Sequence, residues 1–360
     1  MSKKRIGIVN SGGDCPGLNT VIDAVVQSLN PEYEVYGFYR GFEGLYENNY
    51  TLLDPTHTNM VRFQGGTFLK SVNKGNFAGK TGNGELHKID SALLNHAIDN
   101  FNQLELEALV VLGGDGSMAT ASQFLDLGVN IIGVPKSIDN DLMGTDFTFG
   151  FNTAVEITTE ALDRIATTAK SHDRIMILEV MGRHAGWISL YSGLSGGADM
   201  ILLPEIPFDD EKVVDFFKRK YASGQTYGLI VVSEGAFADN GKVLYKDLGS
   251  KSSEAKLGGI GDHLEILLNF EPELEARNTV LGHIQRGGSP NSWDRILSRS
   301  YGAYAGQLVR EKKYGQMVGY VNGSFTESPI LECLKELKLV DQKGVFVERA
   351  RELGIGFGDR

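Results

Sequence analysis

The sequence is poor in cysteine and in long apolar runs. Only Cys15 and Cys333 occur, too few for a disulfide framework, and neither lies in a CxxC pair of the kind that binds zinc or carries redox chemistry. No apolar stretch approaches the roughly 18 residues of a membrane span, and the basic N-terminus precedes an apolar run too short for a signal peptide. We therefore expect a cytoplasmic protein that is not bound to a membrane.

Positive charge is also scarce. Lysine and arginine number 35 against 46 aspartates and glutamates, so the formal net charge is −11. A chain this acidic is not expected to bind nucleic acid or anionic membranes by general electrostatic attraction. Any anion site must therefore be a local cluster of cations or backbone N–H groups.

Glycine, by contrast, is abundant, and it separates apolar runs that alternate with amphipathic segments. The first pair is a predicted strand at Arg5–Asn10 and a predicted helix at Thr20–Leu29. Repetition of this alternation predicts an α/β fold with mainly parallel sheets sandwiched by helices. In such sheets ligands bind at the carboxyl ends of the strands, where the glycine-rich turns lie.

The length of 360 residues exceeds that of most single domains, so we expect two Rossmann-like lobes with the active site in the cleft. Glycine-rich segments near residues 144–152 and 282–290 predict two crossings between the lobes. One lobe is then formed by residues 1–150 and about 286–336, and the other by residues 151–285 and about 337–360.

A first motif indicates a phosphate donor site. The turn Gly113-Gly114-Asp115-Gly116-Ser117 follows the apolar run Ala108–Leu112 and precedes a helix predicted at Met118–Leu127. Glycines let backbone N–H groups contact phosphates, and Asp115 inside the turn can bind a magnesium ion that bridges them. Pentapeptides of the same style occur in NAD kinases and lipid kinases, so the motif identifies a phosphate donor site better than it identifies the acceptor. A second turn, Ser11–Asp14, is either an anion site or a tight strand-to-helix turn.

A second motif, PKSIDND, follows the apolar run Ile131–Val134 and is predicted to form a loop. In an extended segment, Ser137, Asp139 and Asp141 project to one side. A carboxylate aimed at a substrate hydroxyl can accept its proton during phosphoryl transfer, so Asp139 is predicted to be the general base. Asp141 is either a metal ligand or an orienting residue.

Basic residues near predicted strand ends could bind a phosphorylated acceptor, because arginine forks match phosphate oxygens and several cations together overcome the repulsion from an acidic protein. Glu234, after another predicted strand, could accept hydrogen bonds from sugar hydroxyls. The candidate cations are Arg174, Arg183, Arg277, His283 and Arg286.

The chain resembles the phosphofructokinase family over almost its whole length. Eight strings occur in the family's order: SGGDCPGLN, GGTFL, GGDGS, PKSIDND, GTDFTFGFNTA, SHDRI, EVMGRHAGW and VLGHIQRGGSP. The resemblance implies transfer of a phosphoryl group from ATP, with Mg²⁺, to the 1-hydroxyl of fructose 6-phosphate, the first committed step of glycolysis. A non-catalytic sugar-phosphate-binding paralogue is an alternative, but it would be expected to lack Asp115 or Asp139.

The resemblance also assigns roles by motif. It implies that Asp115 binds magnesium, that Asp139 is the base, and that Ser137 and Arg183 steady the transferring group. The implied ATP-binding residues are Gly13, Asn73, Lys74, Gly114, Asp115, Gly116 and Ser117. Asn73 replaces an arginine of many ATP-using members, and Lys74 is the candidate for the missing charge. The implied acceptor-binding residues are Ser137, Asp139, Met181, Gly182, Arg183, Glu234, His283 and Arg286 of one subunit, with Arg174 and Arg277 of a neighbour in a dimer or tetramer.

The donor depends on two positions. In the family, aspartate at the position of Gly116 with lysine at that of Lys136 marks pyrophosphate users, and glycine at both marks typical ATP users. This chain combines Gly116 with Lys136. Glycine leaves room for the nucleotide's α-phosphate, whereas a lysine stem can bend away, so ATP is favoured and pyrophosphate is the alternative.

Overall fold

The computed structural model describes residues 3–73, 75–81, 84–238, 245–246 and 256–360. The predicted nucleotide-binding residue Lys74 lies outside these described residues. The chain divides into two compact units, each built from two segments: Met1–Thr153 with Arg286–Leu337, and Ala154–Gln285 with Lys338–Arg360. Within the described ranges, no helix is both long and apolar enough to cross a membrane.

The secondary structure alternates between strands and helices along most of the chain. The strands are β1 (Lys4–Asn10), β2 (Tyr33–Phe38), β3 (Tyr50–Leu52), β4 (Leu106–Gly113), β5 (Ile131–Ser137), β6 (Phe149–Gly150), β7 (Ile175–Val180), β8 (Met200–Leu202), β9 (Gly228–Ser233), β10 (Tyr245–Lys246), β11 (Lys256–Leu257), β12 (Ala276–Val280), β13 (Gln316–Val321) and β14 (Ser324–Pro329). The helices are α1 (Leu18–Leu29), α2 (Phe42–Tyr46), α3 (Pro55–Val61), α4 (Ser91–Gln103), α5 (Asp115–Asp126), α6 (Phe151–His172), α7 (Trp187–Ser195), α8 (Asp210–Ala222), α9 (Ile260–Asn269), α10 (Ser292–Glu311), α11 (Ile330–Cys333) and α12 (Val345–Glu352), with a 3-10 helix at Gly282–Arg286.

The first unit is built around an eight-stranded sheet in the order β14-β13-β5-β4-β1-β2-β3, with β6 paired to β5. The strands from β13 to β2 are parallel, and the edge strands β14 and β3 are antiparallel to their neighbours. Because β5, β4 and β1 are parallel neighbours, the turns at their carboxyl ends lie side by side. Strand β4 is buried over nearly all its length, as in a sheet covered on both faces.

The second unit contains a four-stranded parallel sheet in the order β12-β7-β9-β8. Strand β12 is an edge strand, and its Arg277 is in register with Met176 of β7. The side chains of Phe208 and Phe217 are fully buried in the core beside this sheet. Because β7 and β9 are parallel, the turns that follow them lie together at the carboxyl ends of the strands.

The mixed α/β architecture with mainly parallel sheets agrees with the prediction from the sequence, but two local predictions are wrong. Residues 135–137 are not a loop, because Lys136 and Ser137 pair with Phe149 and Gly150 of β6 and thereby extend β5. Asp115 does not lie inside the glycine turn, because it is the first residue of α5.

Candidate functional site

The turn after β1 brings three predicted site residues close together. A Cβ atom added to Gly13 would lie 2.7 Å from Nη1 of Arg286 and 3.7 Å from Oδ1 of Asn73. Arg286 also donates a hydrogen bond from Nη1 to the backbone oxygen of Asp14 at 3.2 Å. Position 13 must therefore be small if Arg286 is to lie here. The structure places Arg286, predicted for the acceptor, beside Gly13, predicted for the donor.

The start of α5 forms the next wall of this region. Gly114 precedes the helix and Asp115 is its first residue. Ser117, the third residue of the helix, is buried. A Cβ on Gly113 would lie 2.2 Å from that of Ser117, so the strand can approach the helix this closely only with glycine. The first N–H groups of an α-helix lack intrahelical acceptors and carry the positive end of its dipole. The helix start can therefore bind an anion.

Asp115 forms an ion pair that sequence reasoning missed. The Nζ atom of Lys80 lies 2.6 Å from Oδ2 of Asp115, and the two side chains are only 14% and 17% exposed. Lys80 belongs to none of the family's strings and lies far from Asp115 in the sequence. No sequence signal pointed to it beyond its position shortly after the GGTFL string.

Hydrogen bonds of Asp139 and the residues beside it fix the conformation of the loop after β5. The backbone N–H of Asp139 donates to Oγ of Ser137 at 3.1 Å, and that hydroxyl donates to Oδ1 of Asp141 at 2.9 Å. Asn140 has a positive φ of 53°, and its Oδ1 accepts the backbone N–H of Thr148 at 2.9 Å. The Asp139 side chain is only 6% exposed. The structure therefore brings Ser137, the last residue of β5, close to Asp139 and Asp141 of the loop that follows.

Lys136 is a buried lysine beside the same turns, with 5% of its surface exposed. A Cβ on Gly12 would lie 3.2 Å from its Nζ atom, so the ammonium lies close to the turn after β1. Burial lowers the pKa of Lys136 below its ordinary value and Arg286 lowers it further, whereas Asp139 and Asp141 raise it. Binding of an anion nearby would favour the charged form and offset part of the desolvation cost.

A cavity of about 270 Å³ opens beside the turn after β1. Sites for drug-sized ligands typically have roughly 300–1,000 Å³, so this cavity is slightly smaller than such a site. Some of its lining residues were not predicted to bind the donor, although Thr67 lies within the GGTFL string. Its lining residues are Gly12, Asp14, Thr67, Lys70, Ser71 and Asn73.

In the second unit, the turns after β7 and β9 are joined to each other. The backbone N–H of Arg183 donates to Oε1 of Glu234 at 3.3 Å. Arg183 has a left-handed φ of 51°, and a Cβ on Gly235 would lie 1.9 Å from its backbone oxygen. Glycine at 235 is thus required for this close approach. The turn presents an exposed Arg183 side chain, and Met181 and Gly182 precede it.

His283 follows β12 at the carboxyl ends of this sheet's strands and is exposed. Arg174 and Arg277 lie at the amino ends of the strands. Both pair with Oε1 of Glu275, at 2.9 and 2.7 Å. Strand β7 has six residues and spans about 20 Å. Within one chain, the structure therefore separates these two arginines from the carboxyl-end residues with which they were grouped.

The donor set does not suit a metal ion held by protein groups alone. Among the residues that the structure describes, no cluster of three or more His, Cys, Asp or Glu side chains could hold one. Magnesium in phosphate-binding enzymes is usually held by one or two carboxylates together with substrate phosphates and water. Asp115 supplies one carboxylate of that kind, and the helix start beside it could bind the phosphates.

Comparison with known proteins identifies the family. The family model described as Phosphofructokinase matches residues 5–309. The chain is 46% identical over 363 residues to "ATP-dependent 6-phosphofructokinase 2" of Clostridium perfringens, covering 99% of each chain. It is 45% identical over 359 residues to "ATP-dependent 6-phosphofructokinase" of Chloroflexus aurantiacus, covering 99% of this chain and 98% of the relative. The chain belongs to the phosphofructokinase family.

A solved phosphofructokinase structure supports the same assignment. The crystal structure of Pichia pastoris phosphofructokinase in the T-state is similar to this chain, with a TM-score of 0.78 and 30% sequence identity. The match covers 93% of this chain but 36% of the yeast chain, so this phosphofructokinase spans about a third of that protein's length. The family and the fold class predicted from the motifs are confirmed.

Proposed function

We propose that this protein transfers the γ-phosphoryl group of ATP to the 1-hydroxyl of fructose 6-phosphate, giving fructose 1,6-bisphosphate and ADP. The observation that carries the proposal is the meeting of three elements at adjacent parallel strands: the Gly12–Gly13 turn, the start of α5 and the Asp139 loop. Full-length relatives named as ATP-dependent 6-phosphofructokinases support both the reaction and the donor.

In this proposal the first unit binds the donor. The N–H groups at the start of α5 and in the Gly12–Gly13 turn contact phosphate oxygens, and Arg286 and Lys136 add positive charge. Asp115 would hold magnesium, which would neutralise part of the phosphate charge. Neutralisation of that kind explains how an acid can stand beside a polyphosphate.

Asp139 is the proposed base. Its carboxylate accepts the proton of the 1-hydroxyl as that oxygen bonds to the γ-phosphorus, and the bond from phosphorus to the departing ADP oxygen breaks. Ser137 orients the loop through its two hydrogen bonds. We assign acceptor binding in the second unit to Met181, Gly182, Arg183, Glu234 and His283.

Pyrophosphate is the alternative donor, and the specific observation in its favour is Lys136, a buried lysine whose charged form could neutralise a pyrophosphate leaving group. Gly116 favours ATP, because a Cβ added there would have no neighbour nearer than the Lys80 Cβ at 4.0 Å. That open space can admit the α-phosphate of a nucleotide. We therefore propose ATP as the physiological donor.

The test of function is an initial-rate assay with fructose 6-phosphate and magnesium, offering ATP, ADP and pyrophosphate separately. We expect ATP to give a kcat/KM at least about 100-fold above that of the other donors, as expected when a donor lacks contacts worth about 2.7 kcal/mol in the transition state. A higher value with pyrophosphate would reverse the donor assignment. Absence of turnover with every donor would favour a non-catalytic paralogue.

We also propose that the protein works as a homo-oligomer in which Arg174 and Arg277 complete the acceptor site of a second copy. Both lie at the amino ends of their strands, about 20 Å from the turn after β7 in the same chain. Their shared partner Glu275 holds them as a pair of cations with partly exposed side chains. Two converging guanidinium groups suit a phosphate monoester.

A complementation experiment tests this sharing. Asp139→Asn and Arg174→Ala should each be nearly inactive as homo-oligomers, and a mixture reassembled from both should regain activity, because some sites combine an intact base with an intact arginine. The measurement is turnover after subunit exchange, with mixed oligomers verified by native mass spectrometry. Mixed oligomers that stay inactive would place Arg174 outside the neighbour's site.

A further inference from the structure

The segment before Lys80 is fastened to α5, the helix that carries Asp115. Oγ1 of Thr120 donates to the backbone oxygen of Phe77 at 2.8 Å. A Cβ on Gly79 would lie 2.4 Å from the backbone nitrogen of Thr120, so only glycine permits this approach. Lys80 itself forms an antiparallel bridge with Leu86. These contacts hold the Lys80 backbone at a fixed place beside the first turns of α5.

The Lys80 side chain then reaches the helix start. Its Nζ atom lies 2.6 Å from Oδ2 of Asp115, and both side chains are largely withdrawn from solvent. The helix dipole adds roughly half a positive charge at this end. The ammonium and the helix end together exceed the single negative charge of the carboxylate, so the local environment suits an incoming anion.

Lys80 also borders the space above Gly116. Its Cβ is the nearest atom to a Cβ added at position 116, at 4.0 Å. The flexible stem therefore forms one side of the opening through which donor phosphates would approach the helix. A lysine ammonium has three donors on a long stem, so it can contact a carboxylate and a phosphate oxygen in turn or together.

The charge at the donor site makes this cation more important. Asn73 lines the cavity beside the turn after β1, and its side chain is neutral and exposed. We propose, on the basis of the proposed function, that Lys80 is a donor-binding residue. It pairs with Asp115 in the ligand-free chain and binds a donor phosphate oxygen when magnesium nucleotide occupies the site.

The experiment compares Lys80→Met, Lys80→Arg and the control Lys335→Met by isothermal titration with MgADP and with fructose 6-phosphate. Lys335 is also an ion-paired lysine of the first unit, but it is 66% exposed and pairs with Glu332. We expect Lys80→Met to raise the Kd of MgADP by about 10- to 100-fold, the usual value of a hydrogen bond to a charged group. Lys80→Arg should recover most of the affinity, and the fructose 6-phosphate Kd should change by less than about twofold.

The inference is overturned if Lys80→Met binds MgADP like the parent, or if its fructose 6-phosphate Kd rises equally, which would indicate general disruption. Thermal unfolding of each variant checks that the first unit remains folded. The proposed function fails separately if the parent binds MgADP in a Lys80-dependent manner yet does not phosphorylate fructose 6-phosphate. Turnover by a parent whose MgADP affinity is insensitive to Lys80 would reject the inference alone.

Discussion

Asp139→Asn is expected to lower kcat by about three orders of magnitude, within the range reported for loss of a positioned general base. Asparagine cannot accept the proton of the 1-hydroxyl, so the attacking oxygen would have to lose that proton to water. The KM for fructose 6-phosphate should change by less than about threefold, because the lost interaction acts mainly in the transition state. Steady-state kinetics with saturating ATP measures both quantities.

The loop geometry makes this substitution a clean test. The hydrogen bond from the Asp139 backbone to Ser137 and the bond from Ser137 to Asp141 do not involve the Asp139 carboxylate. Asparagine has the same shape, so the loop should keep its conformation. Asp126→Asn, at the exposed C-terminal end of α5, removes an equal charge outside the site and should retain parental kcat.

Two results would contradict the assignment. A kcat within about tenfold of the parent would exclude Asp139 as the base, since even a weak general base contributes about 100-fold. A large rise in the fructose 6-phosphate KM with a lower melting temperature would indicate instead that Asp139 maintains the loop.

Most of the first unit's central sheet, with the turns that follow its strands, could be predicted from the sequence. Strands β1, β4 and β5 are buried on both faces, so each appears as an apolar run that ends in glycine or small polar residues. The start of α5 was placed too late, because Gly114 and Gly116 have low helix propensity. Asp115 itself was a usable signal, since acids are favoured in the first turn of a helix.

Other features depend on contacts between residues distant in sequence. The pair of Lys80 with Asp115 exists because the segment before Lys80 packs on α5, and no periodicity in the sequence reports that contact. The extension of β5 through Ser137 depends on its pairing with β6. The sequence predicted that Arg174 lies near a strand end, but it did not show whether this is the amino or the carboxyl end. Strand direction and pairing supplied that distinction.

Gly116→Asp is expected to lower kcat/KM for ATP by about 100-fold or more, equivalent to about 2.7 kcal/mol. The kcat/KM of the variant for pyrophosphate should then exceed its kcat/KM for ATP. The added carboxylate would occupy the open space beside Lys80 and repel the α-phosphate of a nucleotide. Pyrophosphate has no α-phosphate to pass there, and Lys136 remains to neutralise its leaving group. Initial rates with each donor at saturating fructose 6-phosphate measure the change.

This variant should fold, so that a loss with ATP reports on the site. The Gly116 backbone lies outside the left-handed region, and the nearest atom to an added Cβ is 4.0 Å away, an ordinary contact. Aspartate in the first turn of α5 also interacts favourably with the helix dipole, by about 0.3–1 kcal/mol. The free energy of unfolding should therefore be equal to or slightly above that of the parent.

Two matched variants separate size from charge at this position. Gly116→Ala adds one methyl group in open space and should keep most activity with ATP, whereas Gly116→Asn reproduces the size of aspartate without its charge. If asparagine impairs ATP use as strongly as aspartate, steric exclusion decides the donor; a much smaller loss assigns the effect to repulsion. Parental ATP kinetics in Gly116→Asp would mean that Gly116 does not select the donor, leaving that role to Lys136 and Lys80.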